Sequence, residues 1–103
     1  MKVEWADHAK RQKNQIAYYI RRRFGLNSEK KFKQEVDQTI KMIMRHPNLG
    51  PIDPLFSDRP TTYRSVVING LSKMVYCIGD ETIYIVAFWD TRREPQQQAK
   101  ETK

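Results

Sequence analysis

The sequence predicts an α+β fold in the order β-α-α-β-β-β, with a helical hairpin packed on one face of a small, mainly antiparallel sheet. Three observations lead there. Tyr63 to Trp89 reads as three consecutive strands, separated by the turn signals Asn69-Gly70 and Gly79-Asp80. Two amphipathic helical stretches precede them, and a link of about three residues between them would force an antiparallel hairpin. Lys2 to Trp5 opens the chain as a short strand, with Val3 and Trp5 on one face.

The elements follow in order. Asp7 is placed to cap the first helix, because its carboxylate can accept from the open amides of the first turn. That helix is expected from about His8 to Phe24. Ala9, Ile16, Ile20 and Phe24 fall on its apolar stripe. Gly25 suits the left-handed residue that ends it. Ser28 is expected to start the second helix, with Glu29 near its positive end. Phe32, Val36, Ile40 and Ile43 form the second stripe, and Pro47 stops the helix near Arg45 or His46. Asn48 to Thr62 is a loop holding Pro51, Pro54 and Pro60, from which Leu55 and Phe56 should dock on the core. Strands are expected at about Tyr63–Ile68, Lys73–Ile78 and Thr82–Trp89. The last is apolar on both faces, which marks a central strand. The sheet face away from the helices must then be polar or covered by something else. Residues 1–95 form one domain, and residues 96–103 form a polar tail without apolar anchors.

Composition narrows the function classes. The chain has 103 residues, 39% hydrophobic and 30% charged, which suits one globular core. Cys77 is the one cysteine, so an internal disulfide framework is excluded and a reducing, cytoplasmic setting is expected. No apolar run approaches a membrane span, and the N-terminus lacks a signal-peptide core. The two histidines and the cysteine lie far apart, so no metal site is expected. Neither phosphate-binding glycine motif is present, so no cofactor is expected either. The net charge of +7 favours a polyanionic or acidic partner. The charge is uneven: nine Lys/Arg and a single acid, Glu29, fall between Lys10 and Lys33. Tyr18 and Tyr19 cannot both face a helix core, so one of them should mark exposed apolar surface.

The candidate site lies at the end of the sheet. Arg92 and Arg93 follow the last strand in the run DTRREP, and Arg64 begins the first of the three strands. Arginine held by a rigid sheet suits phosphate or carboxylate, because its planar fork makes two parallel charge-assisted hydrogen bonds. The geometric expectation is that Arg64 and the Arg92/Arg93 pair converge on one uncovered side of the sheet.

Several segments, taken in order, carry a family resemblance. They are the VEW-A entry, IAYYIRRRFG in the first helix, HPNLG after the second, and YRSVVI, MVYCI and DETIYIVAFWDTRREP in the strands. Over about Val3 to Pro95 this pattern resembles the RelE/ParE superfamily, bacterial toxins of type II toxin–antitoxin pairs that include plasmid stabilisation proteins. The resemblance implies a toxin neutralised by a cognate, acidic antitoxin, which would also provide any contact with operator DNA. RelE-type members cut mRNA on the ribosome as endoribonucleases, and ParE-type members inhibit DNA gyrase. Arg64 falls on an arginine of the RelE-like nucleases, and Arg92 or Arg93 on another. Asp90 stands where many relatives have histidine. The segment 48–58 lacks the nucleases' basic residues, leaving Arg59 nearby, and the tail lacks a catalytic tyrosine or histidine. These departures weigh against cleavage.

RNA cleavage without a metal needs a base, an acid and cations around the phosphorane. Arg64, Arg92 and Arg93 could supply the cations, but arginine is a poor proton shuttle. Asp90 or Glu94 could act as base, or could simply pair with a neighbouring arginine. Tyr63 could orient a base or donate a proton, or could pack at a strand edge. Three readings remain: an mRNA-cleaving enzyme, a gyrase-binding toxin without chemistry, and a member that binds its antitoxin without toxicity.

Overall fold

A computed structural model of the chain describes residues 1–70 and 72–91. Strand β1, Lys2–Trp5, leads into α1, Asp7–Phe24, and α2, Leu26–Arg45. A short 3-10 turn, Pro54–Phe56, lies in the following loop. Strands β2 (Arg64–Ile68), β3 (Ser72–Gly79) and β4 (Thr82–Asp90) complete the expected α+β order. The sheet runs β1-β4-β3-β2, with β1 parallel to β4 and the other pairs antiparallel. β4 is therefore central, as its two apolar faces required.

Both expected N-caps fail, while Gly25 ends α1 as expected. Asp7 is itself the first helical residue, and Ala6 occupies the N-cap without a side-chain bond. Asp7 still places its negative charge in the positive first turn. Ser28 lies inside α2, and its hydroxyl donates back to the Phe24 carbonyl at 3.4 Å. α2 thus begins at Leu26, and one residue, Gly25, links the helices instead of three. Gly25 can do so because its φ of 99° lies in the left-handed region open to glycine. The tight bend keeps Phe24 off the sheet. It is 62% exposed, in line with Ile16 and Ile20 but beyond the part of the stripe that the sheet covers.

The helices cover one face of the sheet. Ala9, Ala17, Phe32, Val36 and Ile43 pack there against Ile68, Met74, Tyr76, Ile83, Ile85 and Phe88. Trp5 stacks on Phe88 with ring centres 5.6 Å apart. The other face is covered by the chain's own loop. Phe56 is buried there with Val75 and Ala87, and Leu55, Tyr63 and Val86 pack around them. Asp53 and Lys73 form a 2.8 Å ion pair beneath this loop, and Asp53 also accepts from the Leu55 amide.

A bulge decides where the end of β4 points. Val75 pairs with Ala87 but Tyr76 pairs with Ile85, leaving Val86 as the extra residue. Ile83 and Ile85 face the helices. Past the bulge the parity changes, so Phe88 faces the helices and Ala87 the loop.

Candidate functional site: an apolar groove at the end of the last strand

The parity change brings Asp90, next but one after Phe88, to the helix side of the sheet. It lies there at the edge of a groove of about 360 Å³. The walls come from Ile16, Tyr19, Ile20 and Phe24 of α1 and Phe32 of α2. Ile68, Asn69 and Ser72 close the sheet end. These positions follow from periodicity: Ile16 and Ile20 are one turn apart on the α1 stripe, and Tyr19 flanks it. Asn69 (φ 56°) and Gly70 (φ 70°) make the left-handed β2–β3 turn, and the Thr91 hydroxyl donates to the Gly70 carbonyl at 3.2 Å.

A second cavity of about 140 Å³ adjoins the groove through Gln15, Ile16 and Asp90. His8, Gln12, Phe88 and Trp89 complete it. Gln12 accepts from the Phe88 amide at 2.8 Å, which ties α1 to β4. His8 Nε2 is buried there without a hydrogen-bond partner among the described residues. The neighbourhood of His8 and Asp90, far apart in sequence, went unread because the Val86 bulge leaves no sequence signal.

The other sequence-assigned residues lie elsewhere. Arg64 is half-buried at the start of β2, and its guanidinium donates to the Gly50 carbonyl at 2.9 Å and reaches the Asn48 carbonyl at 3.5 Å. Tyr76 holds the same turn. Its hydroxyl donates to the Pro47 carbonyl at 2.8 Å and accepts from the Gly50 amide at 2.9 Å. The strand register sets Arg64 level with Tyr76 and Ile85, whereas Ile68 is level with Ser72 and Asp90. At about 3.3 Å per residue, these two levels are roughly 13 Å apart along the sheet. Arg64 and Asp90 are therefore not brought together. Tyr63 is on the loop-covered face, its ring 5.2 Å from that of Phe56, with the Arg59 guanidinium 5.9 Å away. Arg92, Arg93 and Glu94 lie outside the described residues, as does the tail.

Near the hairpin bend, both Tyr18 and Tyr19 are exposed, at 58% and 46%. They line a shallow depression with Arg22 and Arg23. On the loop-covered face, burial pushes the half-buried Cys77 thiol above its usual pKa. Among the described residues, no group of three or more His, Cys, Asp or Glu could hold a metal ion. Among them, too, no helix is long and apolar enough to cross a membrane.

A helical hairpin over a mixed four-stranded sheet is the α+β fold that the RelE/ParE resemblance implied. The family described as "ParE toxin of type II toxin-antitoxin system, parDE" matches residues 3–95, so the chain belongs to that family. Among solved structures it is similar to one titled "Chromosomal ParDE TA system from P. aeruginosa". The two share 18% identity over 87% of this chain and 95% of that chain, with a TM-score of 0.69. No curated protein matches the sequence.

Proposed function

We propose that this toxin arrests growth by binding DNA gyrase, without nuclease chemistry of its own. Family membership supports this reading, and the state of Arg64 is the single observation that carries it. The Arg64 guanidinium is engaged through Nη1 by the carbonyls after α2, level with Ile85 and away from Asp90, which supports a role in holding the turn over one in a phosphate clamp. The cognate antitoxin would occupy the groove with an amphipathic, acidic segment. Its apolar face would cover Ile20, Tyr19 and Phe24, and its acids would meet the neighbouring arginines. Operator DNA would be reached only through that antitoxin, and both partners place the toxin in the cytoplasm.

The experiment is induced expression alongside a supercoiling assay with purified gyrase. Inhibited supercoiling, with translation continuing at first, is the expected result. Ribosome-dependent mRNA cleavage is the competing reading, favoured by His8 and Asp90 lining one cavity, where they could act as a proton-transfer pair. It would use Arg64, Arg92 and Arg93 around the phosphate, with Asp90 or Tyr63 assisting. Transcripts cut at codon boundaries with gyrase unaffected would establish it instead. Antitoxin binding without any growth effect would leave a member that has lost toxicity.

A further inference from the structure

We propose that the bend of the helical hairpin binds single-stranded nucleic acid, with Tyr18 stacking on a base and Arg21, Arg22 and Arg23 holding phosphates. This surface lies on the outer flank of α1, beside the groove. Arg22 Nη1 donates to the Tyr18 hydroxyl at 3.0 Å, and its guanidinium carbon lies 5.7 Å from the Tyr18 ring centre. The two side chains thus hold each other in place while the tyrosine remains 58% exposed. An exposed aromatic face beside a fixed guanidinium is the chemistry that takes a base and its phosphate.

The surrounding charge has the matching sign. Arg21, Arg22 and Arg23 end α1 and are exposed. Across the one-residue link, Lys30, Lys31 and Lys33 are exposed on the first turns of α2. Glu29 is the one acid in this stretch, and it pairs with Lys33 at 3.9 Å. The arginines also complement the negative end of α1, but that role requires neither Tyr18 nor the lysines of α2.

Two other occupants fit less well. A membrane surface would need a long apolar helix face to insert, and α1 leaves only its last turn uncovered, since Ala9 and Ala17 are buried and Ile16 and Ile20 partly buried against the sheet. An acidic amphipathic helix finds its apolar seat in the adjoining groove, whereas the depression at Tyr18 is lined, among the described residues, by Tyr18, Tyr19, Arg22 and Arg23. A duplex would present phosphates to the arginines but no open base to the tyrosine. The inference does not rest on gyrase as target, because the binding assay involves neither gyrase nor growth.

The test is fluorescence anisotropy with the full chain and labelled oligothymidylate of about 20 nucleotides, beside a duplex, an acidic peptide and anionic vesicles. The single strand should bind best, and its affinity should fall steeply between about 50 and 200 mM salt. Tyr18→Ala should weaken single-strand binding by about tenfold with the salt slope unchanged, and Tyr18→Phe should restore it. Replacing Arg21, Arg22 and Arg23 together by glutamine should lower the slope by about 2, since each phosphate no longer neutralised removes about 0.7. Tyr18→Ala and Tyr18→Phe should leave far-UV circular dichroism and Tm in place, and the triple glutamine variant should keep its spectrum while Tm falls by several degrees, because three charges leave the negative end of α1. Equal binding of duplex and single strand with Tyr18→Ala silent would overturn the proposal. So would binding of the peptide or the vesicles without the oligonucleotide.

Discussion

Tyr76→Phe removes one oxygen atom from the core, and the surroundings of that atom set the cost. Tyr76 is 0% exposed, and its hydroxyl makes two hydrogen bonds, to the Pro47 carbonyl and from the Gly50 amide. Gly50 is buried, so its amide would find no water to replace the missing oxygen. A buried donor left unsatisfied costs about 1–3 kcal/mol, and the Pro47 bond adds about 1 more. A loss of about 2–4 kcal/mol is therefore expected. In a domain of this size each 1 kcal/mol moves Tm by about 4–8 °C, so melting should fall by at least about 8 °C. Urea unfolding followed by circular dichroism measures the loss directly. Tyr84→Phe is the control, since Tyr84 is 37% exposed and should change stability by no more than about 0.5 kcal/mol. The Arg64 guanidinium donates to the carbonyl of the same Gly50, so Tyr76→Phe and Arg64→Gln should couple by more than about 0.5 kcal/mol. A Tyr76→Phe loss below about 0.5 kcal/mol, or strict additivity with Arg64→Gln, would refute the shared turn.

Three further outcomes are expected. Lys73→Met should destabilise by about 3–5 kcal/mol in urea unfolding, because it leaves the buried Asp53 carboxylate unpaired, and adding Asp53→Leu should recover most of the loss. Gly50→Ala should lower Tm by several degrees, since its new Cβ would sit 2.8 Å from the Ser65 carbonyl oxygen and 2.9 Å from the Tyr76 hydroxyl, a clash typical of overpacking at about 1–3 kcal/mol. Cys77 should react with a thiol reagent more slowly than the unfolded chain just above neutral pH. Its folded pKa is raised, so the unfolded state loses its proton first, and stability should fall as pH rises through the unfolded thiol value; Cys77→Ser should flatten that fall.

Periodicity carried most of the fold. The two helical stripes, the three strands and the central position of β4 are all legible, since burial on one face or two writes itself into residue spacing. Phe56 was legible for a related reason: a large aromatic in a proline-rich loop has to be covered. The helix link was misread because Ser28 is a good cap in isolation, while Gly25 allows a turn tight enough to dispense with it. The groove was only half visible. Ile16, Ile20 and Phe32 could be seen as core, but not that the packing over them stays open. Asp90 was picked out, yet its neighbours were not, because the Val86 bulge reverses side-chain parity without changing composition. Arg64 was marked as a clamp by its place at the start of a strand, and the family pattern pointed the same way. Its carbonyl partners come from the turn after α2, whose path no spacing rule describes.

The two sheet faces are closed by different means, and the difference bears on why the site is where it is. Over the loop-covered face, apolar contact alone would hold Phe56 loosely, since such contacts tolerate sliding. The Asp53–Lys73 pair does not tolerate it, because both charges lose solvent and must stay together. Its contribution is therefore register more than net stability. The helix-covered face has its register set by Gln12 on the Phe88 amide and by the packed stripes of α1 and α2. At the hairpin bend that stripe runs out. With one linking residue, Phe24 and Leu26 flank the turn and neither can reach the sheet, so they stand 62% and 59% exposed. The tight bend at Gly25 thus sets exposed apolar side chains beside the groove, where Phe24 forms one of its walls.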